Sequence, residues 1–271
     1  MIPPHIFELI VSNARDAVLI AAPDNNLFYA NPAAYELFAI DNDLPQIPEF
    51  VLRLLAQDEC CSLKSLKYRK PFDERMLWLN CHHQKIEIDG KVFSLVNCRD
   101  TTFEKQRERR LQKEATTDFL SGLVNRREFH KVLDANCERP ICVAVVDVDH
   151  FKQINDRHGH LIGDAAIRFV AEQMLKSFFG AICVARLGGE EFGVIADASI
   201  EDVTTQFENF RKSIQRSSFS EHNIGLTVSV GLAIGLDSND GHALLECADK
   251  AVYESKHLGR NRLTVFELRG V

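Results

Sequence analysis

Residues 181–196 read AICVARLGGEEFGVIA, and this stretch decides how the second half of the chain folds. Two apolar runs flank Gly188 and Gly189, which predicts a β-hairpin because glycine tolerates the positive φ of a tight turn. A turn needs no acidic pair, yet Glu190 and Glu191 follow the glycines and repel each other. We therefore expect the hairpin tip to hold a cation.

A second acidic pair, Asp147 and Asp149, follows the apolar run that begins at Ile141. β-Branched residues predict a buried strand, in which residues two apart point to the same face. If this strand lies beside the hairpin, Asp147 and Glu190 converge at one sheet edge. Carboxylates without histidine or cysteine suit Mg²⁺ or Mn²⁺, and such sites usually serve phosphate-bearing substrates. The alternative, solvated loop charges, suits a single acid better than two clusters at strand ends.

Other residues in this half have the chemistry to bind a nucleotide. Lys152, just past the acidic pair, is a mobile cation that can neutralise phosphate. One carboxylate can accept both N1–H and N2–H of guanine, and Asp164 is placed for this role or for that of a helix N-cap. Lys256 and Arg260 would share a helical face if the helix continues that far. They either bind phosphate or act as cations that interact favourably with the C-terminal end of the helix dipole.

Composition excludes several classes of protein. The 271 residues carry a net charge of −7, which argues against a general nucleic-acid or anionic-membrane binder. No apolar run approaches the roughly 20 residues that span a bilayer, and no basic segment precedes an apolar core at the N-terminus. The eight cysteines are scattered, which predicts reduced thiols. We expect a cytoplasmic protein with no nucleic-acid partner and no membrane insertion.

The chain reads as two α+β domains joined by a helix. Residues 99–118 are rich in charged residues without glycine or proline, which predicts an exposed connecting helix. Before it, Asn31-Pro32 predicts a helix start and Asp89-Gly90 a hairpin, whereas residues 41–72 show no clear pattern. After it, predicted strands alternate with helices, which indicates a sheet covered by helices. These helices are expected at 119–137, 164–179, 201–214 and 242–259, with a glycine-bearing turn at 156–163.

Four blocks in the second half resemble the GGDEF-type diguanylate cyclases. They are DFLSGLVNRREF (118–129), DVDHFKQINDRHGHLIGDAAI (147–167), RLGGEEF (186–192) and ADKAVYESKHLGRNR (248–262). The resemblance covers residues 116 to about 267. In the first half, DAVLIAAPDNNLFYANPAAYELF (16–38) and the strand pair ending VNCRDTTFEKQ are similar to a PAS sensor domain, from which residues 41–75 depart.

The resemblance implies an N-terminal PAS-like sensor over 1–98, with an antiparallel sheet and helices, and a helical linker over 99–117. Residues 118–271 would form a palm-like GGDEF domain, with a central sheet flanked by helices as in nucleotide cyclases. Its implied activity condenses two GTP into cyclic di-GMP and two pyrophosphates with Mg²⁺ or Mn²⁺. Two subunits must face each other, which implies a homodimer through the PAS domain and linker helix. The alternative is a catalytically inactive receptor or scaffold of the same fold.

The resemblance also assigns roles to individual residues. Glu190 would help to deprotonate the attacking 3′-hydroxyl, and Lys152 would stabilise the transition state. The implied metal ligands are Asp147, the backbone carbonyl of Val148, Glu190 and Glu191. The implied substrate contacts are Asn155, His160, Asp164, Gly188, Gly189, Lys256 and Arg260, with Arg186 and Asp149 in support.

Two further expectations concern regulation. Where many family members carry an Arg-x-x-Asp inhibitory site, residues 179–182 read FGAI, so we expect no inhibitory product site. The ligand of the PAS-like domain is unknown from the sequence. Trp78, His82 and His83 are candidates to line its pocket, although alternation with Met76 places Trp78 more readily in the core. A haem bound by one of the histidines is an alternative.

Overall fold

The computed structural model describes residues 4–56, 64–71, 73, 75–136, 138–198, 200–219, 224–235 and 240–268. The chain forms two compact units, Met1–Leu111 and Gln112–Val271. In the described ranges no helix is both long and apolar enough to cross a membrane.

The first unit is a five-stranded antiparallel sheet with helices. Its strand order is β2-β1-β5-β4-β3. In chain order its elements are α1 (Pro4–Ser12), β1 (Ala17–Ala21), β2 (Leu27–Ala30), α2 (Pro32–Phe38), α3 (Glu49–Leu55), β3 (Lys64–Arg69), β4 (Met76–Ile88) and β5 (Lys91–Asp100). The segment without a clear sequence pattern thus contains α3 and β3.

Two local signals in this unit are confirmed. Asn31 caps α2 by accepting a hydrogen bond from the Ala34 amide, and Pro32 occupies the first turn. Asp89 and Gly90 join β4 to β5 with φ values of 50° and 70°, as a tight hairpin requires.

The placement of Trp78 in the core is wrong. Leu77 and Leu79 on β4 are buried, so Trp78 lies on the opposite face of the strand. There Lys67 Nζ and Arg109 Cζ lie 5.1 and 4.9 Å from the ring centroid. These cations stabilise an aromatic ring that the core does not enclose.

The exposed helix predicted over 99–118 is present as α4 (Thr102–Thr116), which has no buried residue, whereas Arg99 and Asp100 belong to β5. The second unit follows with a six-stranded mixed sheet in the order β13-β12-β7-β9-β8-β6. Its elements are β6 (Val124–Asn125), α5 (Arg126–Asp134), β7 (Ile141–Val148), α6 (Phe151–His158), α7 (His160–Ser177), β8 (Cys183–Gly188), β9 (Glu191–Asp197), α8 (Ile200–Arg216), β10 (Ser218–Phe219), β11 (Ile224–Gly225), β12 (Val228–Gly235), α9 (Gly241–His257) and β13 (Leu263–Leu268).

Helices cover both faces of this sheet, so β7 is buried along its whole length. Met174 of α7 and Phe207 of α8 belong to the core on one face. Phe129 of α5 and Leu244 of α9 belong to the core on the other. A central strand buried on both faces is typically an unbroken apolar run, as ICVAVV is. Glycine at position 231 allows α9 to approach β12, because a Cβ there would lie 2.2 Å from the Ala248 carbonyl oxygen.

The predicted starts of two helices and the predicted turn between them are wrong. Residues 119–125 are not helical, because Asn125 caps α5 and Gly122 adopts a positive φ of 71°. The helix expected from residue 164 begins at His160, and Gly159 with φ 84° separates it from α6. The segment 156–163 is therefore mostly helical, and Asp164 lies within α7 rather than at its N-cap.

Candidate active site

The glycine-rich hairpin joins β8 to β9 and is clamped by Arg186. The guanidinium donates from Nε and Nη2 to the Gly189 carbonyl oxygen, at 3.0 and 2.7 Å. Its Nη1 donates to Asp118 Oδ1 at 3.0 Å. Burial opposes ionisation of Asp118, but hydrogen bonds from Ser121 and Arg186 outweigh it and lower the pKa of the carboxyl. Arg186 thus fixes the turn that precedes the two glutamates.

The end of β7 meets this hairpin at one edge of the sheet. Asp147 pairs with Glu191 on β9, and the Val148 amide donates to the Glu190 carbonyl oxygen at 3.3 Å. Asp147 is only 4% exposed, whereas Glu190 is half-buried and Glu191 is exposed. The structure therefore brings together the two acidic segments, although they lie about 40 residues apart in the sequence.

The Asp147 carboxylate is held in an unfavourable electrostatic position. Burial raises the pKa of this group to about 6, an effect opposed by Lys256 and reinforced by the charges of Glu190 and Glu191. Lys256 Nζ lies 2.6 Å from Asp147 Oδ2. One ammonium faces three carboxylates, so the edge carries surplus negative charge that a second cation would balance.

These donors fit a hard divalent cation. They are oxygen atoms only, and Mg²⁺ commonly takes one or two carboxylates and completes its shell with water and substrate phosphates. Within the described ranges, no three histidine, cysteine or acidic residues form a closed metal cluster.

Asp149 has a different environment from Asp147. Its carboxylate accepts hydrogen bonds from Thr227 Oγ1 at 2.7 Å, Ser229 Oγ at 2.6 Å and the Asn261 amide at 3.0 Å. The Asp149 side chain is 4% exposed, so its carboxylate oxygens are hydrogen-bonded by protein groups and not by bulk water. The sequence offers no sign of these three donors, because they come from segments about 80 and 110 residues away.

The predicted guanine-contacting residues lie where α6 packs against α7. Asn155 on α6 and Asp164 on α7 are half-buried, whereas Lys152 and His160 are exposed. A Cβ at Gly163 would lie 1.9 Å from Asn155 Oδ1, so glycine is required there to leave room for that amide. Asn155 on α6 is therefore in close contact with Gly163, and Asp164 is the next residue along α7.

The prediction that Lys256 and Arg260 share a helical face is wrong. The helix α9 ends at His257, and Gly259, Arg260 and Asn261 follow with φ values of 109°, 63° and 47°. Lys256 points to Asp147, and Arg260 is exposed in the turn. A glycine three residues past Lys256 was the available signal for this helix end.

The first unit contains a mostly apolar cavity of about 490 Å³, and none of the three predicted pocket residues, Trp78, His82 and His83, lines it. It lies over the sheet face that carries Val18, Ile20 and Leu95, beside α1. His83 is buried with Nε2 3.3 Å from Ser94 Oγ, and burial lowers its pKa.

Comparisons with known proteins match each half of the chain to a known protein family. Residues 115–262 match the family described as "Diguanylate cyclase, GGDEF domain", and residues 5–70 match a PAS domain. Diguanylate cyclase VdcA of Vibrio cholerae is 34% identical over 167 residues, which are 59% of this chain and 49% of that protein. Diguanylate cyclase DgcP of Pseudomonas aeruginosa is 37% identical over 189 residues, 66% of this chain and 26% of that protein.

A solved structure agrees with the family match. The crystal structure of the coiled coil and GGDEF domain of DgcB from Caulobacter crescentus, in complex with c-di-GMP, superposes with a TM-score of 0.57. It is 36% identical and covers 60% of this chain and 93% of that chain. This chain spans about half the length of VdcA and about a quarter of DgcP. Since the family match extends over more than half of its residues, the chain belongs to the GGDEF diguanylate cyclase domain family.

Proposed function

We propose that this protein is a diguanylate cyclase that condenses two GTP molecules into cyclic di-GMP and releases two pyrophosphates. The observation that carries the proposal is the meeting of Asp147 with the acidic hairpin at one sheet edge, beside the ammonium of Lys256. Phosphoryl transfer requires positioning and charge neutralisation more than covalent help, and this edge supplies residues for both.

Diguanylate cyclases of this family generally use a divalent metal, and the oxygen donors described above fit one. We assign Mg²⁺ or Mn²⁺ to Asp147, the Val148 carbonyl oxygen and Glu190, with Glu191 close by. Such an ion, when bound, neutralises triphosphate charge and makes an attacking hydroxyl more acidic.

Each phosphoryl transfer joins the 3′-oxygen of one GTP to the α-phosphorus of the other. The bond from that phosphorus to the leaving pyrophosphate breaks. Glu190 accepts the hydroxyl proton, and Lys152 offsets the negative charge of the transition state. Lys256 and Arg260 bind the phosphates through charge-assisted hydrogen bonds.

The remaining site residues select and orient the nucleotide. Asn155 and Asp164 bind the guanine edge, with His160 at the start of the same helix. Gly188 and Gly189 let the triphosphate lie against the backbone, which a Cβ would obstruct. Arg186 holds this turn in place.

One subunit binds one GTP, so two sites must face each other to close the cyclic product. We assign residues 1–98 to the sensor, 99–117 to a linker whose helical part is α4, and 118–271 to the cyclase, with dimerisation through the sensor and linker. We expect the reaction to take place in the cytoplasm, without a nucleic-acid partner. The sensor then controls turnover by setting how the two cyclase domains meet.

The test is incubation of the purified full chain with GTP and MgCl₂, with the products identified by mass spectrometry. We expect cyclic di-GMP and pyrophosphate, lost in Asp147→Asn and Glu190→Gln and kept in Asp156→Asn, which changes an exposed acid on α6. GTP binding without any product from the native chain would overturn the proposal and identify an inactive nucleotide receptor.

A further inference from the structure

The turn that carries Arg260 has a strained backbone. Arg260 and Asn261 are consecutive non-glycine residues with φ values of 63° and 47°. Residues with a Cβ adopt this left-handed region at an energetic cost, so neighbouring groups must hold the turn in place. Arg260 is exposed, and none of the hydrogen bonds described for this turn comes from its side chain.

Three hydrogen bonds join Arg260 and Asn261 to neighbouring elements, and the Val230 amide of β12 also donates to the Arg262 carbonyl oxygen at 2.9 Å. The Arg260 amide donates to the Ser255 carbonyl oxygen at 2.9 Å. The Asn261 amide donates to Asp149 Oδ2 at 3.0 Å, and Arg211 Nη1 donates to Asn261 Oδ1 at 2.7 Å. Of the three, the bond to Asp149 ties the turn to the end of β7, two residues from Asp147.

The Asp149 carboxylate is itself rigidly placed. Two hydroxyl groups, on Thr227 and Ser229, donate to it, and its backbone amide donates to the Thr227 carbonyl oxygen at 2.9 Å. It is 4% exposed, so water competes little for these bonds. A carboxylate with three protein donors is suited to anchoring a neighbouring segment rather than to binding an ion.

From this network we infer that Asp149 is a positioning residue, which holds the turn of residues 259–262 so that Arg260 faces the substrate phosphates. The inference rests on the proposed function, because it takes Arg260 as a phosphate contact. Asp149 acts through Arg260 and touches no reacting atom. Its loss should therefore weaken GTP binding only while Arg260 is present.

The experiment is a double-mutant cycle in the full chain with Asp149→Ala and Arg260→Ala. Each single variant should raise the KM for GTP about tenfold, the effect of one lost charge-assisted bond, with a smaller change in kcat. In the Arg260→Ala background, Asp149→Ala should change KM less than twofold. Effects on KM that simply multiply would overturn the inference. Asp149→Asn keeps one acceptor for the Asn261 amide and should restore most of the KM.

Thr227→Val serves if Asp149→Ala does not fold, because it removes one donor to Asp149 and nearly conserves volume. Its matched control is Thr101→Val, which removes a hydroxyl that donates to the Trp78 carbonyl oxygen in the first unit. Thr227→Val should raise KM about threefold, an effect within the range of one neutral hydrogen bond, and Thr101→Val should not. Equal effects of the two variants would contradict the inference.

Hydrogen exchange gives a readout that does not depend on turnover. Removing the Asp149 acceptor should accelerate exchange of the Asn261 amide at least tenfold, with no change at the Phe178 amide, which donates to the Met174 carbonyl oxygen at the end of α7. Unchanged exchange at Asn261 would refute the anchoring role. If the Asp149→Ala variant shows this acceleration but the native chain forms no cyclic di-GMP, the proposed function alone is refuted.

Discussion

Replacing Asp147 by asparagine should stabilise the protein while abolishing turnover. The pKa of this buried carboxyl rises from its ordinary 3.8 to about 6, so ionising it in the folded state costs free energy. A shift of this size corresponds to about 3 kcal/mol at neutral pH. This shift already includes the attraction of Lys256, so we expect a net stabilisation of about 1–3 kcal/mol at pH 8.

The sign of the effect fixes its pH dependence. The folded-state pKa of Asp147 lies above the unfolded value, so its contribution to stability is fully present below pH 3.8 and is lost as pH rises through about 6. Asparagine does not titrate. The advantage of the variant should therefore be absent at pH 3.8 and grow to its full value above pH 6.

Differential scanning calorimetry of the full chain in EDTA, from pH 4 to pH 8, measures this difference. For a domain of this size, 1–3 kcal/mol corresponds to roughly 2–10 °C in Tm. Asp156→Asn, which changes an exposed acid on α6, controls for the removal of one negative charge. A variant no more stable than the native chain at pH 8, or an advantage equal at pH 4 and pH 8, would refute this electrostatic reasoning.

Three other changes test separate parts of the structure. Gly163→Ala should displace the Asn155 amide, because the new Cβ would lie 1.9 Å from Asn155 Oδ1. We expect the KM for GTP to rise at least tenfold with little loss of Tm. An unchanged KM would show that Asn155 does not bind guanine. Insertion of two residues into α4 should rotate whatever follows by about 200° and change kcat severalfold, and an unaltered rate would exclude control through this helix. Added cyclic di-GMP should leave the initial rate unchanged, because FGAI at 179–182 offers no charged group, whereas inhibition relieved by substitution there would contradict this.

The two strands and the acidic residues at their ends follow from local sequence. A β-branched run ending in two aspartates and a Gly-Gly turn followed by two glutamates each identify one end of a strand. Their pairing in one sheet was a hypothesis, since strand order depends on long-range contacts. The register that places Asp147 opposite Glu191 is visible only in the folded chain.

The errors come from signals that the three-dimensional structure overrides. Residues around Gly122 have a helical apolar period, but glycine with a positive φ and the cap at Asn125 delay the helix. Trp78 is aromatic and lies in a strand, yet its neighbours set which face of β4 is buried. The hydrogen bond from the Asn261 amide to Asp149 joins residues 112 positions apart, so no local pattern could have revealed it.

Electron–nuclear double resonance on Mn²⁺ bound to the full chain, with a non-hydrolysable GTP analogue, examines the acidic edge itself. The structure predicts one tightly bound Mn²⁺ with ³¹P coupling to the nucleotide, weakened at least tenfold in affinity by either Asp147→Asn or Glu190→Gln. Mn²⁺ that binds both variants as tightly as the native chain, or that shows no ³¹P coupling, would contradict the assignment of this edge as the site of phosphoryl transfer.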